Sequence, residues 1–198
     1  MTGLLEAWDV QLFRLINGAH LPWLDPVMAG LSSKALWIPV YALLACWIWR
    51  REGPRGLALA LAAAAVLITL SDQAASGLLK PWAARYRPCR PEAGLPFEVH
   101  TVNGTCGGAY GFASSHAANF FALAAWISGR IRVRALVLAA YAAALLVAWS
   151  RVYLGAHYPG DVMAGAAIGL LSAALTGHAH RWAARKLGLA PAGANSGG

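Results

Sequence analysis

Two histidines and an aspartate stand out in this chain because almost everything around them is apolar. His157 and Asp161 lie four residues apart in the segment SRVYLGAHYPGD, residues 150–161, and His116 follows the segment FASS. At the start of a helix, the Asp161 carboxylate can reach the His157 imidazole and fix which ring nitrogen faces outward. The other nitrogen of His157 is then free to act as a nucleophile.

Basic residues in the same regions indicate what that nucleophile would attack. Lys80, Arg87 and Arg151 supply donors for an anion with several oxygens, and a guanidinium matches phosphate geometry. Ser114 and Ser115 precede an apolar run, where a helix amino terminus would add backbone N–H groups to the anion site. The pattern therefore predicts a phosphate ligand. His116 has no carboxylate beside it in sequence and is predicted to donate and accept protons.

The same residues are open to other interpretations. His116, His157 and Asp161 could bind zinc, but the surrounding cations would repel a metal. An anion transporter or channel could also use a basic pocket between helices, although nothing in a channel requires paired histidines. Taken singly, Lys80 and Arg87 could extend to lipid phosphates, and Ser114 could simply cap a helix.

The apolar segments that must position these residues are typical of a membrane protein. Of the 198 residues, 59% are hydrophobic and only 12% are charged, and the mean hydropathy is +0.52. A helix needs roughly 20 residues to cross a hydrocarbon layer of about 30 Å. Five apolar runs approach that length: 24–49, 56–79, 116–129, 133–149 and 161–182. The sequence predicts an all-α integral membrane bundle of about five transmembrane helices.

We expect one membrane-embedded domain over residues 1–188, with an outer catalytic loop at 80–115 and a flexible tail at 189–198. Residues 1–20 differ from the later runs, because apolar residues recur there at steps of three and four with Glu6, Asp9 and Arg14 between them. This pattern favours an amphipathic helix. The helix would lie in the membrane interface or pack against the bundle.

Clusters of basic residues alternate with the predicted helices. Three loops carry them: Arg50, Arg51 and Arg55; Arg130, Arg132 and Arg134; Arg181, Arg185 and Lys186. By the positive-inside rule these loops are cytoplasmic, which places all three polar motifs on the outer face. Much of the net charge of +8 is explained by this topology, so the charge does not indicate a nucleic-acid partner.

The three cysteines are compatible with this topology. Cys89 and Cys106 share the long outer loop, and Cys46 lies in the first apolar run. An oxidising compartment would allow a bridge between the two loop cysteines. We predict that disulfide, with two free thiols as the alternative.

With these residues in view, the chain resembles the type 2 phosphatidic acid phosphatase superfamily. The family signature is Lys, six residues, Arg-Pro; then Pro-Ser-Gly-His; then Ser-Arg, five residues, His, three residues, Asp. The matching segments here are Lys80 to Arg87-Pro88, Ala113-Ser114-Ser115-His116, and Ser150-Arg151 to His157 to Asp161. The first and third segments match in full, whereas the second departs from the family pattern at Ala113 and Ser115.

The resemblance implies a role for each matched residue. His157 would attack phosphorus and Asp161 would orient it, while His116 would protonate the leaving oxygen and then activate water. The phosphate oxygens would be held by Lys80, Arg87, Arg151, Ser114 and Ser115. Because cations would neutralise the transition-state charge, the resemblance implies no metal and no cofactor.

The resemblance also sets expectations for substrate and location. It implies a lipid phosphate substrate in the bacterial inner membrane, with the active site facing the periplasm. Undecaprenyl diphosphate is the first choice, with lipid A 1-phosphate, phosphatidylglycerol phosphate and phosphatidate as alternatives. The family usually has six spans, one more than the five predicted here. Gly165 and Gly169 could form a homodimer face or pack closely inside a monomer.

Overall fold

A computed structural model describes residues 2–104, 106–131 and 133–189. The described residues form seven α-helices, and their only strand-like pairing is an isolated bridge between Tyr86 and Tyr110. The helices are α1 Thr2–Gly18, α2 Asp25–Ser32, α3 Lys34–Asp72, α4 Lys80–Ala83, α5 Ser115–Ser128, α6 Arg134–Tyr153 and α7 Pro159–Lys186. The all-α bundle predicted from the sequence is confirmed. Most of the predicted tail, residues 190–198, lies outside the described residues.

Helix α3 consists of two arms that meet at Gly53. Gly53 has φ 71° and ψ −176°, a conformation that glycine adopts readily, and Pro54 begins the second arm. The second arm continues through a π-helix, Gln73–Leu79, into α4. This bend lets two consecutive apolar runs lie side by side, with the basic residues at the turn.

Three segments are long and apolar enough to cross a membrane: Lys34–Ala83, Arg134–Tyr153 and Pro159–Lys186. The first of them contains both arms of α3. Helix α5 has 14 residues, about 21 Å of helix, and is buried among its neighbours. The prediction of one helix over residues 24–49 was wrong, because the chain is extended at Ser33, whose hydroxyl accepts a hydrogen bond from the Ala35 amide and begins α3.

Helices α5 and α7 form the centre of the bundle, and small residues let them approach closely. A Cβ added at Gly165 would lie 2.3 Å from the Ser114 carbonyl oxygen, and one at Gly169 would lie 2.2 Å from the Ala118 carbonyl oxygen. Neither position has room for a side chain. The two glycines therefore pack inside the chain, as the monomer alternative predicted, and do not form an exposed dimer face.

Gly169→Val should destabilise the fold, because the new side chain would collide with the α5 backbone. We expect a loss of at least about 2 kcal/mol in the free energy of unfolding, measured by denaturant titration in detergent. Gly30→Ala is a matched control, since a Cβ there meets nothing within 4 Å and should change stability by less than about 1 kcal/mol. Equal unfolding midpoints for Gly169→Val and the unchanged protein would contradict this packing.

Helix α1 both packs on the bundle and exposes an apolar surface. Phe13 is fully buried, 5.4 Å from the Tyr158 ring and 6.4 Å from the Phe97 ring. The opposite side of the helix exposes Leu4, Leu5, Trp8, Leu12 and Leu15. These observations fit both interpretations of the amphipathic pattern, since one face binds the protein and the other suits the membrane interface.

The connection between α4 and α5 is long and is closed by a disulfide. Cys89 and Cys106 are bridged, which confirms the predicted pairing. Cys46 is a free, exposed cysteine. In the chain-entropy description, a bridge of this loop size stabilises the fold by roughly 3 kcal/mol. The bridged loop covers the end of the bundle at which all three motifs meet.

The predicted cytoplasmic loops meet at the opposite end. Arg130 lies 3.9 Å from Glu52 and also contacts His180, so the α3 bend, the end of α5 and the end of α7 are neighbours. Arg132 lies outside the described residues. The basic clusters and the catalytic motifs are thus at opposite ends of the bundle, as the topology requires. The direction in which each end faces stays a prediction.

Candidate active site

His157 lies in the short turn between α6 and α7, and its side chain is almost completely buried. Arg87 donates a hydrogen bond from Nη1 to His157 Nε2 at 2.9 Å. A guanidinium only donates, so Nε2 must carry the lone pair and Nδ1 the proton. His157 Nδ1 faces Asp161 Oδ2 at 3.5 Å, longer than a hydrogen bond. His157 and Asp161 are thus neighbours, as predicted, without a hydrogen bond between them, and the basic nitrogen faces the cations.

The surroundings of His157 keep its ring neutral. Burial, followed by the charges of Arg87 and Arg151, lowers the pKa of His157 well below its ordinary value. A histidine with a lowered pKa remains unprotonated at pH 7. Its lone pair is therefore available to an electrophile at that pH.

Asp161, at the amino end of α7, is fully buried and held by two donors. Its Oδ2 accepts a hydrogen bond from the Tyr158 amide at 2.9 Å, and its Oδ1 accepts one from Arg85 Nη1 at 3.0 Å. The Asp161 backbone carbonyl accepts from the Ser114 amide at 2.9 Å, which ties the starts of α5 and α7 together. The carboxylate thus has a set orientation toward His157.

Lys80 begins α4 and contacts the first turn of α5. Its Nζ donates to Ser115 Oγ at 2.7 Å and to Ser76 Oγ at 2.8 Å. Ser76 belongs to the π-helix, which precedes α4 directly. Ser115 stands where the family signature has glycine, and here its hydroxyl accepts from the lysine. The departure from the signature therefore adds a polar group beside Lys80.

The two arginines of the signature are anchored differently. Arg87 is buried and donates to the Gly108 and Ala156 carbonyl oxygens, each at 2.9 Å, as well as to His157. Arg151, in the last turn of α6, donates from Nη1 to the Ser32 hydroxyl. Its Nε is buried and has no hydrogen-bond partner among the described residues. The Arg151 carbonyl oxygen accepts a hydrogen bond from the His157 amide at 3.2 Å, and the charges of both guanidiniums act on the His157 ring.

His116 and Ser114 are at the amino end of α5. The Ser114 hydroxyl accepts from the Ala117 amide at 3.4 Å, so its predicted capping role is confirmed. The His116 ring lies near the backbone of Ser32, and the charge of Arg151 acts on it. His116 also acts electrostatically on His157. The structure therefore brings all eight predicted site residues to one end of the bundle.

Four polar residues of this end were not among the predicted site residues: Asp9, Ser32, Ser76 and Arg85. The sequence could have indicated Arg85 as a site residue, since it lies within the segment from Lys80 to Arg87. The signal for Asp9 was weaker and came from its position four residues before the buried Phe13, on the same face of α1. Ser76 lies four residues before Lys80, one helical turn away, so the sequence could have indicated it. Ser32 had no such signal, because it meets Arg151 only through tertiary packing.

Comparison with known proteins agrees with this site. The model of the PAP2 superfamily matches residues 55–185. A lipid A 4'-phosphatase of Bacteroides thetaiotaomicron is 37% identical over 85% of this chain and 75% of its own length. A lipid A 4'-phosphatase of Porphyromonas gingivalis is 30% identical over 81% of this chain and 67% of its own length.

Two solved structures share the fold. LpxE of Aquifex aeolicus has a TM-score of 0.65 and 24% identity, covering 84% of this chain and 93% of that one. A PAP2-type phosphatidylglycerolphosphate phosphatase of Bacillus subtilis has a TM-score of 0.68 and 22% identity, covering 90% of this chain and 87% of that one. The family match spans more than half of the chain and contains the histidines, the aspartate and the cations described above. This chain belongs to the PAP2 superfamily.

Proposed function

We propose that this protein is a membrane phosphatase that removes a phosphate from the headgroup of a glycolipid of the lipid A type, through a phosphohistidine on His157. The observation that supports this most directly is the polarity of the His157 ring. Its Nε2 lone pair lies 2.9 Å from Arg87 Nη1, and its Nδ1 faces Asp161. A neutral imidazole oriented toward guanidiniums is arranged to attack an anion with several oxygens.

The first step forms the phosphoenzyme. His157 Nε2 attacks phosphorus, the N–P bond forms, and the ester P–O bond to the lipid breaks. His116 donates a proton to the departing lipid oxygen. The ring becomes cationic, and the Asp161 carboxylate stabilises it. Arg87 exchanges its hydrogen bond to Nε2 for one to a phosphate oxygen as that nitrogen becomes covalently bound.

The second step regenerates the enzyme. His116, now without its proton, takes one from a water molecule, and the resulting hydroxide attacks phosphorus. The N–P bond breaks, the electron pair returns to His157 Nε2, and inorganic phosphate leaves. Lys80, Arg87 and Arg151 stabilise the negative charge on the three nonbridging oxygens in both transition states. Ser114 and Ser115 add donors at the start of α5.

The position of the site suits a substrate that stays in the membrane. The motifs lie at and just after α4, at the start of α5, at the end of α6 and at the start of α7, beyond the apolar bodies of the helices. Leu78 and Trp82 are strongly exposed beside Lys80. Acyl chains can contact these apolar side chains while the phosphate reaches the cations. The active site is proposed to face the periplasm of a bacterial inner membrane.

Two candidate substrates have specific support. Two relatives that are at least 30% identical are lipid A 4'-phosphatases, which favours the 4'-phosphate of lipid A. A putative undecaprenyl-diphosphatase of Escherichia coli is 28% identical over 85% of this chain, which supports the first choice made from the sequence. Undecaprenyl diphosphate is therefore the second candidate.

Phosphate release from purified lipids in detergent should separate these candidates. The panel contains bisphosphorylated lipid A, undecaprenyl diphosphate, phosphatidylglycerol phosphate and phosphatidate. We expect the highest kcat/KM on lipid A, with mass spectrometry showing loss of the 4'-phosphate, and no change on adding EDTA. Preference for undecaprenyl diphosphate would reverse the order of the two candidates. Activity that EDTA abolishes and a divalent ion restores would contradict the cation-based mechanism.

A further inference from the structure

A second chain of ionic contacts lies behind the catalytic aspartate. Arg85 Nη1 donates to Asp161 Oδ1 at 3.0 Å and to Asp9 Oδ2 at 2.7 Å, so one guanidinium nitrogen joins two carboxylates. The Arg85 guanidinium also lies 3.9 Å from the centre of the Tyr158 ring. Two anions and an aromatic face together restrict where the guanidinium can lie.

Asp9 uses its second oxygen on the backbone next to Asp161. Asp9 Oδ1 accepts a hydrogen bond from the Gly160 amide at 2.7 Å. Gly160 is in the first turn of α7, where amide groups lack partners within the helix and attract negative charge. A Cβ on Gly160 would lie 2.8 Å from Asp9 Oδ2, so a side chain at position 160 would displace Asp9. Asp9 therefore binds both the guanidinium that holds Asp161 and the backbone that carries it.

We propose that Asp9 of α1 is a positioning residue of the active site, acting through Arg85 and the Gly160 amide on Asp161 and thereby on His157. The proposal rests on the phosphohistidine mechanism proposed above. Asp9 lies outside residues 55–185, which match the family. The amino-terminal helix thus has a role in catalysis besides its predicted contact with the membrane interface.

Asp9 can influence the orientation of Asp161 because the two carboxylates compete for Arg85. With Asp9 present, the guanidinium is shared, and it contacts Asp161 through Oδ1 while Oδ2 stays directed at His157 and the Tyr158 amide. Without the Asp9 charge, Arg85 can move fully onto Asp161 and compete for Oδ2. The carboxylate would then support the His157 imidazolium less well in the transition state.

Asp9→Asn tests the proposal because it removes the charge and keeps the shape. We expect phosphoenzyme formation in single-turnover rapid-quench experiments to slow by about 10- to 100-fold, the size of loss found when a residue that orients a metal ligand is removed. The KM for the lipid should stay within about twofold. Glu6→Gln is the matched control, because it removes the same charge from an exposed position one turn earlier on α1 and should behave like the unchanged protein.

A double variant shows whether Asp9 acts through Arg85. We expect Asp9→Asn to slow phosphoenzyme formation little further when Arg85→Gln is already present, because the shared guanidinium is gone. Fully multiplicative losses would overturn the proposed route through Arg85, since independent sites add in free energy. A merely structural contribution of Asp9 would also appear as multiplicative losses.

Chemical rescue gives a measurement that does not depend on comparing stabilities. Added guanidinium ion should accelerate Arg85→Ala, in which Asp9 and Asp161 remain to bind it, and should not accelerate Arg85→Ala with Asp9→Asn. Absence of rescue in the single variant, or equal rescue in both, would overturn the proposal. Normal kinetics for Asp9→Asn would also overturn it while the proposed function stands. Failure of the unchanged protein to form any phosphoenzyme on lipid would instead refute the proposed function.

Discussion

His157→Ala is expected to abolish turnover on every phosphate ester, whether the leaving group is a lipid alkoxide or an aryl alcohol. The variant lacks the Nε2 lone pair that faces Arg87, so no covalent intermediate can form. The remaining cations can still bind phosphate, so the variant should bind the substrate but not hydrolyse it. We expect a loss in kcat of at least about 10⁴-fold, on the scale seen when a nucleophile is removed.

The measurement is steady-state phosphate release together with acid-quenched trapping of labelled phosphoenzyme. His178→Ala is the control, because His178 is an exposed histidine on α7 that lies far along the helix from Asp161 and whose Nδ1 contacts the Ala174 carbonyl oxygen. It should keep activity within about twofold of the unchanged protein. Labelled phosphate retained on the His157→Ala chain would assign the nucleophile to another residue.

His116→Ala is expected to separate the two chemical steps. A general acid matters most when the leaving oxygen is basic, and such catalysis is worth roughly 10² to 10⁴-fold. On a lipid phosphate, the rate of phosphoenzyme formation should therefore fall by that factor in the variant. On an aryl phosphate with a good leaving group, the first step needs little protonation and should survive.

The second step should stall on both substrates, because no base remains at position 116 to activate water. We expect a burst of aryl alcohol of up to about one equivalent per enzyme, followed by little further release, with phosphohistidine accumulating at His157. Rapid-quench kinetics on the lipid and the aryl substrate check both halves of this prediction. An absent burst and no phosphoenzyme in both histidine variants would remove the support for the two assigned roles.

The residues that meet in the candidate site could be predicted from the sequence, because its motifs are local. The spacing from His157 to Asp161 and the positions of the cations are readable from one chain. The order of the apolar runs and basic clusters predicted that all three motifs lie at one end of a helical bundle, and the structure agrees. The break at Ser33 was missed although Ser33 followed by a helical run is a capping signal, since continuous apolar composition was given more weight.

Tertiary structure alone decided which polar groups meet around those motifs. Arg85 is separated by 76 positions from Asp9 and by 76 from Asp161, yet it binds both. The contact of Arg151 with Ser32 spans 119 positions, and that of Lys80 with Ser115 spans 35. No local pattern encodes such pairs, because each depends on how helices pack and on which glycines permit close approach. The sequence by itself determined which residues form the candidate phosphate site and at which end of the helices they lie. The packing of α1, α5 and α7 determined which groups hold them in place, since a side chain's partners are set by distances in space and not by distances along the chain.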